Sequence, residues 1–217
     1  MRNVIGQTVS GNNFFERPQA ISKLRRAVRN GSWIYLSAPR RVGKTSVMNF
    51  LQDNPETGQH YVYAITQSID SVDGFYKEIA KQVIDSPAFR TMSKVTNALK
   101  KITGGLLQRI NLKVSVPFLD VSLDREPINF QTDLEKLQEE LDLDGGKLII
   151  MVDEFTETLD NILMRHGKQE ARRFLQTFRE LMHNRKLTNK VQFLLTGSIG
   201  LQPLGDCSLN CVRPKGE

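Results

Sequence analysis

Apolar residues along the chain form two patterns, short continuous runs and longer stretches with helical spacing. The continuous runs have the length of β-strands and are rich in β-branched and aromatic residues. They cover residues 32–38, 59–67, 145–155 and 190–198. Strands that are apolar throughout are typical of a parallel sheet with helices on both faces. The pattern therefore predicts an α/β fold of three layers with a mainly parallel sheet.

Segments in which apolar residues recur at helical spacing lie before and between these strands. In "RPQAISKLRRAVRNG", Pro18 fits the first turn of a helix and Gly31 can end it. The same kind of spacing predicts four further helices, over residues 45–54, 70–85, 129–141 and 168–186. The first predicted strand is thus followed directly by a glycine-containing loop and a helix.

Residues 86–130 are the least core-like part of the sequence, and we interpret them as an insertion. Within them, residues 88–112 are predicted to be helical and basic, with a break at Gly104-Gly105. Residues 113–123, "KVSVPFLDVSL", are predicted to form a strand or hairpin with Pro117 at an edge or bend.

The composition fits one soluble globular domain. The chain has 217 residues, of which 39% are hydrophobic and 25% charged. No apolar run approaches the roughly 20 residues of a membrane span, and the first residues lack the apolar block of a signal peptide. These features predict a cytoplasmic protein without membrane contact. Cys207 and Cys211 resemble neither a disulfide framework nor a complete metal site.

The positive charge is concentrated at one end of the chain. The formal net charge is +6, and residues 1–46 contain nine Lys or Arg and one Glu. This end is either a solvated basic helix or a surface that faces an anion. A nucleotide would be a sufficient anion. Nucleic acid remains an alternative, although no stretch interleaves aromatic residues with Lys and Arg as a stacking surface would.

The loop "APRRVGKT", residues 38–45, nearly matches the phosphate-binding pattern G-x-x-x-x-G-K-[ST]. Ala38 replaces the first glycine, a small change unless the position needs a positive φ. In such loops, backbone N–H groups surround phosphates, the lysine reaches the β- and γ-phosphates, and the hydroxyl binds Mg²⁺. The predicted nucleotide-binding residues are Pro39, Arg40, Arg41, Val42, Gly43, Lys44, Thr45 and Ser46.

Two further strand ends carry polar residues that would complete such a site. Asp153 follows the apolar run "LIIMV" and is predicted to bind Mg²⁺ together with Thr45. Glu154, directly after it, could accept a proton from the attacking water or orient it. Thr196 and Ser198, at the end of "FLLTGS", are candidates for contacting the γ-phosphate or the water. An ordinary turn at the strand end is an equally good interpretation of that last segment.

The sequence resembles P-loop ATPases of the AAA-type/STAND group, in particular the archaeal-type ATPase family. The resemblance extends over residues 4–204, and "PRRVGKTS" and "TGSIG" are its most specific motifs. It implies a three-layer P-loop NTPase fold of the ASCE type with strand order 5-1-4-3-2. It also implies ATP and Mg²⁺ as ligands, an adenine contact near residues 15–18, and a catalytic arginine, for which Arg179 and Arg185 are candidates.

The C-terminal part departs from the family pattern. We expect an ATPase core over residues 1–205 and an irregular tail over 206–217, because the tail shows no strand or helix pattern. The fifth strand and the helical lid of the family are then expected to be missing. Without them, the strand at residues 32–38 would be an exposed edge. Self-association or a protein partner could cover that edge.

Three functional hypotheses follow. The first is an Mg·ATP-binding core of a STAND-like switch ATPase, in which Glu154 activates water for ATP hydrolysis. The second is a nucleic-acid-associated ATPase module of the initiator or defence type, suggested by basic residues at 23–29 and 94–113. The third is a truncated remnant that binds a nucleotide without turnover.

Overall fold

The structure is a computed structural model, and it describes residues 17–90, 96–110, 129–184, 186–187 and 189–198. Its centre is a four-stranded sheet with the order β1-β4-β3-β2, in which every pairing is parallel. The strands are β1 (Ile34–Ser37), β2 (Gln59–Ile65), β3 (Lys147–Asp153) and β4 (Val191–Gly197). The predicted order 1-4-3-2 is confirmed for these strands. The expectations about a fifth strand, a lid and the tail concern residues outside the described ranges.

Helices connect the strands. They are α1 (Pro18–Arg29), α2 (Lys44–Asp53), α3 (Val72–Asp85), α4 (Pro87–Arg90), α5 (Asn97–Ile110), α6 (Phe130–Glu140) and α7 (Phe155–His183). Side-chain caps fix the amino-terminal ends of α3 and α6. The Ser71 hydroxyl accepts from the Gly74 N–H before α3, and the Asn129 amide oxygen accepts from the Thr132 N–H before α6. None of the helices within the described ranges has the length and apolarity needed to cross a membrane.

The sheet is covered on both faces, which explains the continuous apolar runs. Along β3, Leu148, Ile150 and Val152 pack into a larger core cluster on one face. Ile149 and Met151 pack into a smaller cluster on the other face, together with residues of α1 and α2. Because successive strand residues point to opposite faces, a strand covered on both sides is apolar at nearly every position before its end.

The carboxyl ends of the strands lie together at one edge of the sheet. Register pairs Ser37 of β1 with Gly197 of β4, and Ile65 of β2 with Asp153 of β3. This arrangement brings the loop after β1 and the acids after β3 to the same edge, where ligands bind in open α/β sheets. Within the described residues, β1 is at the edge of the sheet, with β4 on one side.

The predicted helix break at Gly104-Gly105 is wrong, since α5 runs without interruption through both glycines. Neither glycine has a positive φ. Leu99 and Leu106, two turns apart on one face, are fully buried in the larger core cluster. Their packing offsets the roughly 1 kcal/mol that each glycine costs a helix. The predicted strand or hairpin at 113–123 lies outside the described residues.

The described part of residues 86–130 contributes to the core, in contrast to the expected lack of core character. Phe89, Leu99 and Leu106 belong to the same cluster as the buried residues of β3. Helix α5 packs against α6 and α3, so this region forms part of the helical layer. Whether it is an insertion remains a prediction.

Helix α7 begins earlier than the predicted residue 168. It starts at Phe155, immediately after β3, and bends at Gly167, whose φ of 83° is not helical. Only glycine adopts this backbone conformation without strain. The part before the bend places Glu157 and Thr158 at the carboxyl edge of the sheet, where both contact residues that follow β2.

Candidate functional site

The loop between β1 and α2 has the left-handed turns that a phosphate-binding loop needs, at positions other than Ala38. Positive φ values occur at Arg41 (65°) and Gly43 (86°), whereas Ala38 has no positive φ. The Ala38 N–H instead extends the pairing of β1 by donating to the Gly197 carbonyl at 3.3 Å. Alanine therefore fits this position without backbone strain.

The Lys44 side chain folds back onto the start of this loop. It is 7% exposed, and its Nζ donates to the carbonyls of Ala38 at 2.9 Å and Pro39 at 3.1 Å. Helix α2 begins here, after Gly43, without a side-chain cap. The first N–H groups of the helix thus have no capping side chain, and together with the Lys44 ammonium they fit an anion such as a phosphate.

The Asp153 carboxylate accepts hydrogen bonds from four groups. Its Oδ2 accepts from the hydroxyls of Thr45 and Tyr63, each at 2.7 Å. Its Oδ1 accepts from the Thr196 hydroxyl and from the Glu154 N–H. Asp153 is 5% exposed, so the fold fixes this carboxylate before any ligand binds.

The Thr45 and Asp153 oxygens fit an Mg²⁺ ion that also binds phosphates. Hydroxyl and carboxylate oxygens are the ligands that Mg²⁺ prefers, and it commonly takes only one or two of them from the protein. Across the part of the chain that the structure describes, no three His, Cys, Asp or Glu residues form a metal-binding group. The remaining ligands would have to be water and a bound phosphate.

Tyr63 is a site residue that the sequence analysis missed. It lies on β2, and its hydroxyl reaches Asp153 on the neighbouring strand. Burial raises the pKa of Tyr63 well above its usual value, and the hydrogen bond to Asp153 raises it further. Tyr63 therefore stays protonated and acts as a donor to the carboxylate. The signal in the sequence was a pair of tyrosines two positions apart in β2, Tyr61 and Tyr63.

Glu154 has a strained backbone and a defined side-chain position. Its φ of 56° and ψ of 40° are left-handed, which costs a residue with a side chain about 1–2 kcal/mol. Two hydrogen bonds hold this backbone, since its N–H donates to Asp153 Oδ1 at 3.1 Å and to Thr196 Oγ1 at 3.3 Å. Ser198 donates to Glu154 Oε2 at 3.1 Å.

The two strand-end candidates of β4 have different surroundings. Thr196 is fully buried. Its hydroxyl donates to the Asp153 carboxylate and accepts from the Glu154 N–H. This position places the hydroxyl against both acids, and its contact with a γ-phosphate or water stays a prediction. Ser198, which is partly exposed, lies beside Glu154 and Arg40. It fits the predicted place better.

The remaining predicted residues divide by position. In the loop, Pro39, Arg40 and Arg41 are exposed, whereas Val42 and Ser46 are partly buried. Arg179 is exposed near the end of α7 that leads to the amino end of β4, so the fold does not bring it to the loop. Arg185 lies outside the described residues. So do residues 15 and 16 of the predicted adenine contact, while the Arg17 guanidinium lies close to Gly43.

Comparison with known proteins identifies the fold. No protein-family profile and no curated protein matches the chain. It is similar to the Walker-type ATPase paby2304 of Pyrococcus abyssi, with a TM-score of 0.51 and 20% identity, over 90% of this chain and 48% of that one. It is also similar to the ORC2 protein of Aeropyrum pernix, solved as ADPNP–ADP complexes. There the TM-score is 0.50 and the identity 13%, over 88% of this chain and 44% of that one.

The chain has the fold of these P-loop ATPases, as predicted. At 13–20% identity, the likeness concerns the fold, and fold alone does not assign a function. The chain spans about half the length of each of these two proteins.

Proposed function

We propose that the chain binds Mg·ATP at the loop of residues 38–45 and hydrolyses it. The observation that carries this proposal is the 2.7 Å hydrogen bond from the Thr45 hydroxyl to Asp153 Oδ2. It joins residues 108 positions apart in the sequence at the start of an uncapped helix. Chance resemblance of the loop to the phosphate-binding pattern would not place a buried carboxylate against its threonine. The ADPNP–ADP complexes of ORC2 support the same ligand class here.

Each residue of the site would have a distinct task. Lys44 and the first N–H groups of α2 would bind the phosphates. Thr45 and Asp153 would hold Mg²⁺, which neutralises charge on the β- and γ-phosphate oxygens when it is bound. Glu154 would accept a proton from water or orient it, and Ser198 would hold the Glu154 carboxylate in place.

The proposed biological use of this activity is a STAND-like molecular switch, in which ATP and ADP favour different states. The motifs "PRRVGKTS" and "TGSIG" support this finer assignment. The alternative is a nucleotide-binding remnant without turnover. The rate of phosphate release distinguishes the switch from the remnant. A remnant would release phosphate at the same rate as its Glu154→Gln variant, whereas a switch ATPase would release it faster than that variant.

Lys44→Ala tests the binding site. We expect it to weaken Mg·ATP binding at least about tenfold, because charge-assisted hydrogen bonds to phosphate are worth about 1.5–3 kcal/mol. Lys168→Ala, which removes the same charge from an exposed position on α7, should bind like the wild type. Calorimetric titration of the purified chain measures both, and equal affinity of Lys44→Ala and wild type would show that the nucleotide site is wrongly assigned.

A nucleic-acid-associated module is the second candidate. Lys23 and Arg26 of α1 and Lys100 and Lys101 of α5 are exposed. Other basic residues of α1 are used internally, because Arg25 donates to the Asn54 carbonyl and Arg29 pairs with Glu56. This use reduces the charge available to a duplex. DNA binding that weakens steeply with salt would support this candidate, and binding insensitive to salt would exclude it.

A further inference from the structure

Arg40, the third residue of the loop, extends from the loop to the residues that follow β3 and β4. Its Nη2 donates to Glu157 Oε2 at 2.7 Å, and its Nε donates to Ser198 Oγ at 3.3 Å. Glu157 lies in the first turn of α7, and Ser198 follows β4. The guanidinium therefore connects the loop to the segments that follow β3 and β4.

The Arg40 partners connect it to the proposed base. Ser198, which accepts from Arg40, donates to Glu154 Oε2 at 3.1 Å. The second carboxylate oxygen of Glu157 accepts from Gln67 Nε2 at 3.2 Å. The guanidinium thus lies one side chain away from Glu154, the proposed base. Negative charge would develop on the phosphate near this position during hydrolysis. Among the arginines that the structure describes, no other forms a hydrogen bond or ion pair with Glu154, Glu157 or Ser198.

The ion pair between Arg40 and Glu157 is suited to being exchanged. The two side chains are 60% and 28% exposed, and ion pairs with this exposure contribute little to stability. A phosphate offers a guanidinium more negative charge and a bidentate hydrogen-bond geometry. A terminal phosphate beside Lys44 would therefore compete with Glu157 for Arg40 at little cost.

We propose that Arg40 recognises the γ-phosphate and that Glu157 holds it when no triphosphate is present. Through this exchange the loop distinguishes a nucleoside triphosphate from a diphosphate. Arg40 also takes the place for which Arg179 and Arg185 were candidates, so the charge-stabilising arginine comes from the loop itself. The inference rests on the proposed function, because it requires nucleotide phosphates at Lys44.

The test compares the affinity for ADP with that for a non-hydrolysable ATP analogue, both with Mg²⁺, by titration of the full chain. In Arg40→Gln we expect the analogue to bind about tenfold or more weaker, the loss for charge-assisted hydrogen bonds, and ADP to change less than about twofold. In Glu157→Gln we expect the analogue to bind about threefold tighter, because the competing ion pair is lost. Arg165→Gln is the matched control, since it breaks the exposed ion pair with Asp70 and should leave both affinities unchanged.

Each result decides between the two proposals. If Arg40→Gln weakens ADP and the analogue equally, or if Glu157→Gln weakens the analogue, Arg40 does not recognise the γ-phosphate. The proposed function would survive that result as long as wild-type binding depends on Lys44. If the wild type binds neither nucleotide, both proposals are wrong.

Discussion

The two sides of the candidate site differ in how firmly the fold holds them. The side that would hold Mg²⁺, called the metal side, consists of Thr45, Tyr63, Asp153 and Thr196. Hydrogen bonds link it to one carboxylate, and Asp153 and Thr196 are 5% and 0% exposed. The side that would face the attacking water, called the water side, consists of Arg40, Glu154, Glu157 and Ser198, which are joined by longer or more exposed contacts. We infer that the metal side is formed by folding, whereas the water side can rearrange when a ligand binds.

The largest expected effect concerns turnover on the water side. Glu154→Gln should lower the rate of phosphate release about 100-fold or more, the usual contribution of a general base. Mg·ATP affinity should stay within about threefold, because the metal side is unchanged. Phosphate release and calorimetric titration measure the two quantities. Glu180→Gln, an exposed position on α7, is the control, and a Glu154→Gln variant that turns over ATP at the wild-type rate would remove the assigned base.

The next largest difference between the two sides is expected in their contribution to the free energy of unfolding. Asp153→Ala leaves the hydroxyls of Thr45, Tyr63 and Thr196 without their acceptor, and we expect it to lower the free energy of unfolding by about 2 kcal/mol. Glu154→Ala should change it less, by about 0.5 kcal/mol, because it removes a single hydrogen bond from a partly buried side chain. Urea unfolding without nucleotide measures both. Equal losses would show that the two sides are held alike.

Relief of backbone strain should raise stability on the water side. Glu154→Gly removes the side chain from a left-handed backbone, and we expect a gain of about 1 kcal/mol in the free energy of unfolding, with loss of turnover. Glu157→Gly, in the first turn of the same helix, should instead lose about 1 kcal/mol. A loss of stability in Glu154→Gly would mean that its strain is not relieved by glycine.

An effect of similar size is expected at Tyr63. Tyr63→Phe removes one donor to Asp153, and we expect a loss of about 1 kcal/mol of stability at neutral pH. In the unfolded chain Tyr63 ionises near its ordinary pKa of 10.0, and in the folded chain its pKa is higher. Its contribution is therefore complete below pH 10 and is lost as the pH rises toward the folded value.

Unfolding curves between pH 7 and 11 measure the Tyr63 effect. Stability of the wild type should fall above pH 10, and Tyr63→Phe should make that fall less steep. Tyr61→Phe provides the comparison, because burial raises the pKa of Tyr61 to about 12 and its loss should also make the fall less steep. A Tyr63→Phe variant with an unchanged alkaline slope would show that the hydroxyl is not held by Asp153.

The sequence predicted those parts of the molecule that depend on local pattern. Continuous apolar runs predicted the four strands, and the strand-loop-helix context predicted the position of Lys44 and Thr45. Asp153 was predicted because a phosphate-binding loop needs an acid on a neighbouring strand to hold Mg²⁺, and Asp153 follows an apolar run of strand length. These features need only the spacing of residue types along a short segment and the known order of such sheets.

Side-chain contacts between distant segments could not be predicted in this way. Tyr63 belongs to the site because β2 lies next to β3 and its ring is long enough to reach Asp153. The Arg40–Glu157 pair depends on α7 beginning directly after Glu154, at Phe155, whereas α7 was predicted to start at residue 168. The uninterrupted α5 depends on packing of Leu99 and Leu106 that offsets the local effect of two glycines.

The measurement that tests the central claim most directly is the effect of Mg²⁺ on ATP affinity in wild type and Thr45→Val. Valine keeps the shape of threonine and removes the hydroxyl that lies 2.7 Å from Asp153 Oδ2. If the metal side is formed by folding, Mg²⁺ should raise ATP affinity of the wild type by about tenfold, as two oxygen ligands would allow, and this gain should be absent in Thr45→Val. An ATP affinity that is the same in EDTA and in Mg²⁺ for the wild type would contradict the account.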